Sequence, residues 1–144
     1  MNQTVKTGYP SIDKPWLHFF SERARQARSS FEMKDVTMYD ELMAYALNHK
    51  NEEAYEYLCA KYKYIDLING IETVAGALVA AKVKVGEIIP IVLPNIPEPR
   101  YLIYACSKIG AIPNPIMPTT SKSDMESIIK KDASRIIFLM AGLR

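Results

Sequence analysis

The sequence predicts an α/β fold in which mainly parallel strands are joined by helical crossovers. Three observations predict it: apolar residues recur at helical spacing, short apolar runs have the length of strands, and the two kinds of segment alternate from residue 73 to residue 140. Such alternation is typical of parallel strands whose connections cross the sheet as helices. We expect an N-terminal arm, helices and a β-hairpin before that region.

The composition predicts one packed globular domain. The chain has 144 residues, of which 49% are hydrophobic and 24% are charged, values that argue against disorder. The net charge is +2, too small for a protein that binds nucleic acid through its phosphates. No apolar run approaches the about 20 residues that cross a bilayer, and the first residues do not resemble a secretory signal. We therefore expect no membrane span and a cytoplasmic location.

The two cysteines indicate neither a disulfide framework nor a zinc site. Cys59 and Cys106 show no paired spacing, and no histidine lies near either of them. We expect both to be small packing residues on helices.

Residues 1–36 are expected to form an N-terminal arm with a short helix. Turn residues around Gly8 and Pro10 open this segment, and the aromatic residue Trp16 follows. The arginine-rich stretch after it has the pattern of a solvated helix face. His18 lies among aromatic residues and is expected to pack rather than to catalyse a reaction.

Two helices are predicted next. Thr37 with Asp40 three positions later is close to a capping box and predicts a helix from Thr37 toward Asn48. A second helix is predicted after Asn51, where apolar residues fall at i, i+3, i+4 and i+7: Tyr55, Leu58, Cys59 and Tyr62. The tyrosines of this region could also stack on bases, but no basic surface accompanies them, so we expect ordinary packing.

The dipeptide Asn69-Gly70 predicts a β-hairpin, because a type I′ turn favours these two residues. The paired strands would be residues 64–68 and 71–73. Thr73 is then expected to cap a helix toward Lys84, which Gly86 would close.

The run Ile88 to Leu93 predicts a strand that is covered on both faces, because it is almost continuously apolar. Pro90 lies inside it and has no N–H for the ladder. The strand must therefore lie at an edge, carry a bulge, or leave that position unpaired.

The next helix is expected to be capped by Asn95 and to stop at Gly110. A short strand interrupted by Pro113 and Pro115 should follow, over residues 111–117.

The last crossover helix is predicted to open with a capping box at Ser123-Asp124-Met125-Glu126. Residues 135–140 then predict the final strand, with a nearly unbroken apolar run.

Taken in order, these segments resemble the start of the adenylate-forming enzymes: acyl-CoA synthetases, related AMP-binding ligases and adenylation domains. The resemblance depends on the joint order of short motifs: Val83-Lys84-Val85-Gly86-Glu87, Leu93-Pro94-Asn95-Ile96-Pro97-Glu98, Lys108-Ile109-Gly110-Ala111-Ile112, Asn114-Pro115 and Pro118-Thr119-Thr120-Ser121. The arm from Thr7 to Trp16 resembles a bacterial branch of acyl-CoA-synthetase-like proteins. The resemblance implies that residues 37–144 form an incomplete AMP-binding-enzyme N-terminal subdomain, roughly the first quarter of a full-length member.

The sequence departs from the family pattern in two segments. Val74 and Ala77 follow Thr73 where the family usually has an aromatic residue and an acid, and Pro90 lies in a strand that the family keeps free of proline. Both departures indicate relaxed constraint or a local rearrangement.

The resemblance implies a reaction for the full-length family but no catalytic residue in this chain. Members use ATP and magnesium to convert a carboxylate to an acyl-adenylate, and many then transfer the acyl group to CoA. Their Ser/Thr/Gly-rich phosphate loop, acidic motifs and C-terminal lysine lie downstream of this segment. The segment Thr119-Thr120-Ser121-Lys122 is the nearest imitation of a phosphate loop, but it lacks glycine and is better explained as a helix cap. We therefore predict no catalytic, cofactor-binding or metal-binding residues here.

Two hypotheses follow for the role of the chain. It is a truncated or split piece of a ligase and is inactive alone, or it is a free-standing, non-enzymatic module that docks a carrier protein or a partner ligase fragment. In either case the terminal apolar strand predicts an open surface, so self-association or a downstream ligase fragment are the expected partners.

Overall fold

The computed structural model describes residues 7–30 and 34–140. The chain divides into two compact units, residues 1–35 and residues 36–144. Each unit is described separately below.

Among residues 7–30, the first unit forms short helical segments. They are α1 (Pro10–Asp13), a 3-10 helix (Pro15–Phe19) and α2 (Glu22–Ser29). Each of the first two begins with a proline, whose φ angle suits a first helical turn. The carboxylate of Asp13 accepts hydrogen bonds from the backbone N–H groups of Thr7 and Gly8, both at 2.9 Å, and so closes the first turn.

The second unit contains two sheets and four helices among its described residues. The helices are α3 (Met38–Ala46), α4 (Tyr64–Ala80), α5 (Glu98–Ile109) and α6 (Lys122–Asp132). The strands are β1 (Glu53–Tyr57), β2 (Ala60–Lys63), β3 (Ile88–Val92), β4 (Ile112–Pro115) and β5 (Phe138–Leu139). Strands β1 and β2 form an antiparallel hairpin, and a parallel sheet has the order β4-β3-β5. The predicted α/β class with parallel strands and helical crossovers is confirmed.

The helix predicted after Asn51 is wrong, because that segment is the β1–β2 hairpin. Leu58 and Cys59 form its turn with φ angles of 47° and 65°, both in the left-handed region that a type I′ turn requires. Tyr55 faces Tyr62 across the strands, and their rings stack with centroids 4.7 Å apart. Cross-strand aromatic pairing of this kind stabilises a hairpin. Cys59 is therefore an exposed turn residue and not a helical packing residue.

The hairpin predicted at Asn69-Gly70 is also wrong, because both residues lie inside the 17-residue helix α4. That helix buries Leu67, Ile71 and Leu78 on one face, and this burial outweighs the local turn preference of an Asn-Gly pair. Thr73 lies within α4 and does not cap a new helix: its hydroxyl donates to the carbonyl oxygen of Asn69 at 2.8 Å.

The predicted strand between Ile88 and Leu93 is confirmed as β3, the central strand of the parallel sheet. Ile89 and Ile91 are buried in the core that α4 and α5 share with it. Pro90 and Val92 are also buried, and by the alternation of a strand they point to the other face. The sheet is thus covered on both sides of β3.

Pro90 therefore lies in a central strand and not at an edge. The N–H groups of Ile112, the first residue of β4, and of Ile116, directly after β4, donate to the carbonyl oxygens of Glu87 and Ile91, each at 2.9 Å. Residues 87 and 91 thus face β4, so by alternation the nitrogen of Pro90 faces β5. Pairing with β5 begins only at Ile91, which means that this stretch of the ladder needs no donor from Pro90.

Helix α5 begins without the predicted cap. Asn95 does not cap it, because Pro97 is the residue before Glu98 and no side chain accepts a bond there. Its end is as predicted, at Gly110 with φ of 75°.

Helix α6 begins two residues before the predicted start. Ser121, rather than Ser123, is the cap, and its hydroxyl accepts from the backbone N–H of Asp124 at 3.2 Å. The last strand spans only Phe138–Leu139 of the predicted residues 135–140.

Candidate functional site

An apolar groove of about 460 Å³ lies between α4, α5 and β5 of the second unit. We call it the α4–α5 groove. Its walls include Val74, Ala77 and Leu78 from α4 and Tyr101 and Leu102 from α5, with Phe138 of β5 at its base. Phe138 also packs against the buried core, so the groove is continuous with the interior of the unit.

The sequence of α4 explains why a groove forms here. Val74, Ala77 and Ala81 follow one another at helical spacing on the face that lines it. Alanine side chains are short and leave space that longer side chains would fill. Two of these residues, Val74 and Ala77, are also the departures from the family pattern noted in the sequence.

The chemistry of the groove is that of an apolar contact surface. Glu98 and Tyr101 are the ionisable residues among those that line it, and Thr73 adds a hydroxyl that is already bonded to Asn69. The hydroxyl of Tyr101 is likewise engaged, in a bond of 2.5 Å with the hydroxyl of Tyr55. The groove can bury apolar surface, but it presents no pairing of a nucleophile with a base.

A polar cluster joins α3, α4 and α5 on the surface of the unit. The hydroxyl of Tyr39 donates to Glu72 at 2.7 Å, and Lys108 forms an ion pair with the same carboxylate. Lys108, and after it Tyr39, hold the pKa of Glu72 below its ordinary value. Glu72 in turn raises the pKa of Lys108. Burial, then the bond to Glu72, raises the pKa of Tyr39. Glu72 and Lys108 therefore stay charged and Tyr39 stays neutral, and in these states the three side chains connect the helices.

A second cluster attaches the β1–β2 hairpin to α5. Besides the bond between the Tyr55 and Tyr101 hydroxyls, the guanidinium of Arg100 lies 4.4 Å from the centre of the Tyr55 ring. Burial, then the bond to Tyr101, raises the pKa of Tyr55. Tyr55 therefore stays neutral and acts as a structural contact.

A third cluster connects the segment before β3 with the segment before β5. Arg135 donates to Glu87 from Nε at 3.1 Å and from Nη2 at 3.0 Å, and Nη2 also donates to the carbonyl oxygen of Lys82 at 3.1 Å. Arg135, then the backbone N–H of Lys84, lowers the pKa of Glu87. This geometry connects two loops through charge-assisted hydrogen bonds and makes the Glu87 carboxylate a weaker base.

The described residues also include reactive groups outside these three clusters. In residues 7–30 and 34–140 no three His, Cys, Asp or Glu side chains come together in a way that could hold a metal ion. Cys106 is buried on α5 as expected, and burial raises the pKa of its thiol to about 11. None of the described helices has the length and apolar character needed to cross a membrane.

A family profile described as AMP-binding enzyme matches residues 42–143. The chain belongs to this family. A human protein, the mitochondrial acyl-CoA synthetase short-chain family member 3, is 28% identical over 78 residues. The match covers 54% of this chain and 11% of the human synthetase. The matched region therefore corresponds to about a tenth of the length of that relative.

Solved structures show the same fold. The N-terminal subdomain of NpsA from Klebsiella oxytoca superposes with a TM-score of 0.69 at 18% identity, over 74% of this chain and 28% of that one. A benzoate CoA ligase from Burkholderia xenovorans gives a TM-score of 0.70 at 16% identity, over 74% of this chain and 22% of the ligase. The second unit thus has the fold of part of an adenylate-forming enzyme's N-terminal subdomain, as the sequence predicted.

Sequence analysis named no catalytic, cofactor-binding or metal-binding residue, and this stays a prediction. The α4–α5 groove was not predicted. The residues of α4 that line it recur at helical spacing in the sequence. That pattern does not indicate that no other element packs against this face.

Proposed function

We propose that this chain is the N-terminal scaffold of an AMP-forming ligase of the acyl-CoA synthetase type, in truncated or split form. The whole ligase would convert a carboxylate and ATP to an acyl-adenylate and pyrophosphate, and then pass the acyl group to a thiol. In this proposal the chain contributes folded structure and contact surface, and the groups that handle ATP, magnesium and CoA are contributed by other segments.

The observation that carries the proposal is the family match over residues 42–143. The ion pairs in that range support it, because they already engage two of its cationic side chains. Phosphoryl chemistry needs donors around the phosphates and an anchor for magnesium. The cations Lys108 and Arg135 are both engaged with carboxylates, Glu72 and Glu87 respectively. The segment Thr119–Lys122, the nearest imitation of a phosphate loop, leads into α6, and Ser121 is occupied there as its cap. These facts favour a scaffold over an independent catalyst.

The test is carboxylate-dependent exchange of pyrophosphate into ATP by the purified chain, with acetate, propionate and benzoate as substrates. A benzoate CoA ligase provides the positive control for the assay. We expect no exchange above a blank without protein. Exchange that depends on the carboxylate and on the amount of chain would contradict the proposal.

An alternative function is favoured by the α4–α5 groove, which offers an apolar surface for another protein. An artificially fused adenylation–PCP di-domain from Klebsiella oxytoca, NpsA–ThdA, shares the fold over 75% of this chain with a TM-score of 0.67. By analogy, a free-standing module of this fold could dock a carrier domain without performing chemistry.

The two functions differ in what the neighbouring DNA should encode. A reading frame beside this one that starts with the next strand and carries a phosphate loop would favour the split ligase. Co-purification of the two products, with pyrophosphate exchange only in the mixture, would establish it. Absence of such a frame, together with saturable binding of the ThdA carrier domain in a calorimeter, would favour the docking module.

A further inference from the structure

We infer that Asn69 is a deamidation site whose reaction is blocked while α4 is closed and proceeds when α4 opens. The reaction converts Asn69 to isoaspartate or aspartate and hinders α4 from closing again. The site is therefore a covalent record of the opening of this helix. The inference rests on the structure of α4 and its neighbours, and not on the proposed function.

The dipeptide Asn69-Gly70 places the two groups that deamidation needs next to each other in the sequence. The backbone nitrogen of Gly70 bonds to the side-chain carbonyl carbon of Asn69, and the bond from that carbon to the side-chain nitrogen breaks. The proton of the backbone nitrogen leaves with the side-chain nitrogen as ammonia, and a five-membered succinimide ring remains. Water then adds to one of the two ring carbonyl carbons and opens the ring to isoaspartate or aspartate. Glycine favours the first step because it has no Cβ that hinders approach to its nitrogen.

The closed helix holds these two groups apart. Both residues lie within α4, where the N–H of Gly70 bonds to the carbonyl oxygen of Asp66 four positions earlier. Ring closure requires that bond to break. It also requires ψ of Asn69 to leave its helical value of about −42°, because Cβ of Asn69 and the nitrogen of Gly70 must become nearly eclipsed. Asn69 is exposed, so its protection comes from the helical backbone and not from burial.

The packing of α4 determines how readily the helix opens at this point. Leu67 and Ile71, on either side of the dipeptide, are buried, and Gly70 lies against the ring of Tyr101. Two features act in the opposite direction: Gly70 and Gly76 both lower the helix propensity of α4, and the α4–α5 groove leaves part of the helix uncovered. We therefore expect local opening of α4 to set the rate of deamidation.

The products do not fit the closed helix as asparagine does. In isoaspartate the main chain continues through the side-chain carbons, which inserts one additional backbone atom and displaces the later N–H groups from their acceptors. Aspartate keeps the backbone, but its new carboxylate lies three positions from both Asp66 and Glu72, and like charges at that spacing destabilise a helix. A modification that follows opening thus makes the opening irreversible.

The test measures deamidation of the purified chain by peptide mapping and mass spectrometry, in mildly alkaline buffer with and without concentrated urea. We expect Asn69 to deamidate in urea and to react at least about tenfold more slowly in the folded chain. Asn95 is the internal control and should stay intact in both samples, because the branched side chain of Ile96 hinders attack. Equal rates at Asn69 with and without urea, or no deamidation in urea, would overturn the inference.

The variant Gly76→Ala tests whether opening of α4 sets the rate. No atom of the described residues lies within 4 Å of a Cβ added at Gly76, so the substitution stabilises the helix without contact with the dipeptide. We expect deamidation of the folded variant to be slower by about twofold to fivefold, and hydrogen exchange of the Gly70 amide to slow by the same factor. The rate in urea should not change. A folded variant that deamidates as fast as the unaltered chain would contradict the assignment to opening of α4.

Reclosure of the modified helix is measured separately. After incubation in urea, the chain with isoaspartate at position 69 is separated from the unmodified chain by chromatography, and both are diluted into buffer. We expect the modified chain to recover less helical circular dichroism. Asn69→Gln is the matched control and should refold fully after the same incubation, because glutamine would have to form a larger ring. Full recovery by the isoaspartate form would show that the modification does not hinder closure, whereas pyrophosphate exchange by the purified chain would contradict only the proposed function.

Discussion

Gly70 of α4 lies directly against the ring of Tyr101 on α5, so closely that a Cβ atom built on Gly70 would be 2.8 Å from Cε1 of the ring. Real Cβ contacts are essentially never that short. The ring has little freedom to move away, because its hydroxyl is bonded at 2.5 Å to Tyr55 of the hairpin. The glycine therefore allows α4 and α5 to approach, and it holds this place despite the cost of a glycine inside a helix.

The first prediction compares two glycines of the same helix. Gly70→Ala should destabilise the chain by about 1–3 kcal/mol, since overpacking outweighs the gain in helix propensity. Gly76→Ala should stabilise it by about 0.5–1 kcal/mol, because no atom lies within 4 Å of the added Cβ. Urea unfolding followed by circular dichroism at 222 nm measures both. Equal effects of the two substitutions would show that the contact with Tyr101 has no energetic role.

The second prediction concerns the bond that attaches the hairpin to α5. Tyr55→Phe removes one hydroxyl and leaves that of Tyr101 without this partner, so we expect a loss of about 1 kcal/mol in the free energy of unfolding. Tyr62→Phe is the matched control, because Tyr62 belongs to the same ring stack and a surface change away from such bonds has an effect within about 0.5 kcal/mol. If the two variants unfold at the same urea concentration, the hydroxyl bond does not stabilise the attachment.

The sequence was most informative where burial and local preference agree. The apolar run of β3 was predicted with nearly its observed bounds, and Gly110 ends α5 as expected. Ser121 also explains the polar segment before α6 as a cap, although the cap was expected to be Ser123. The alternation of these elements is sufficient to predict the α/β class.

Prediction failed where long-range packing decides between two local patterns. Asn69-Gly70 has the preferences of a turn, but Gly70 is required by the ring of Tyr101, which is 31 positions away in sequence and invisible to a local pattern. The hairpin tyrosines fall at helical spacing, yet stacking across the strands selects the β form. The groove could not be predicted for the same reason, since it depends on how α4, α5 and β5 meet.

The third prediction is a pH dependence that comes from Glu87. Its pKa is lowered by Arg135 and by the N–H of Lys84, so the stability it contributes is present above the ordinary value of 4.5 and is lost as the pH falls through the lowered value. Glu87→Gln should therefore melt at a lower temperature than the unaltered chain at about pH 7, and the difference should narrow as the pH falls below 4.5.

Thermal melts across that pH range measure the difference, and Glu126→Gln on the exposed surface of α6 is the control. At about pH 7 the control should have the same melting temperature as the unaltered chain. A gap between Glu87→Gln and the unaltered chain that stays constant with pH would mean that the variant loses packing rather than the charged bonds of Arg135.

The fourth prediction concerns the open α4–α5 groove of the purified chain. Because this apolar surface adjoins the edge of the sheet, we expect the chain to bind a hydrophobic dye and to self-associate in sedimentation velocity. Ala77→Lys places a charge in the groove at a position that is already exposed, so it should reduce both effects without unfolding the chain. Val79→Lys is the matched control on the same helix, since Val79 is 59% exposed and does not line the groove. A monomer that binds no dye and unfolds cooperatively would show that the second unit closes on itself, and it would favour the free-standing module over the ligase scaffold.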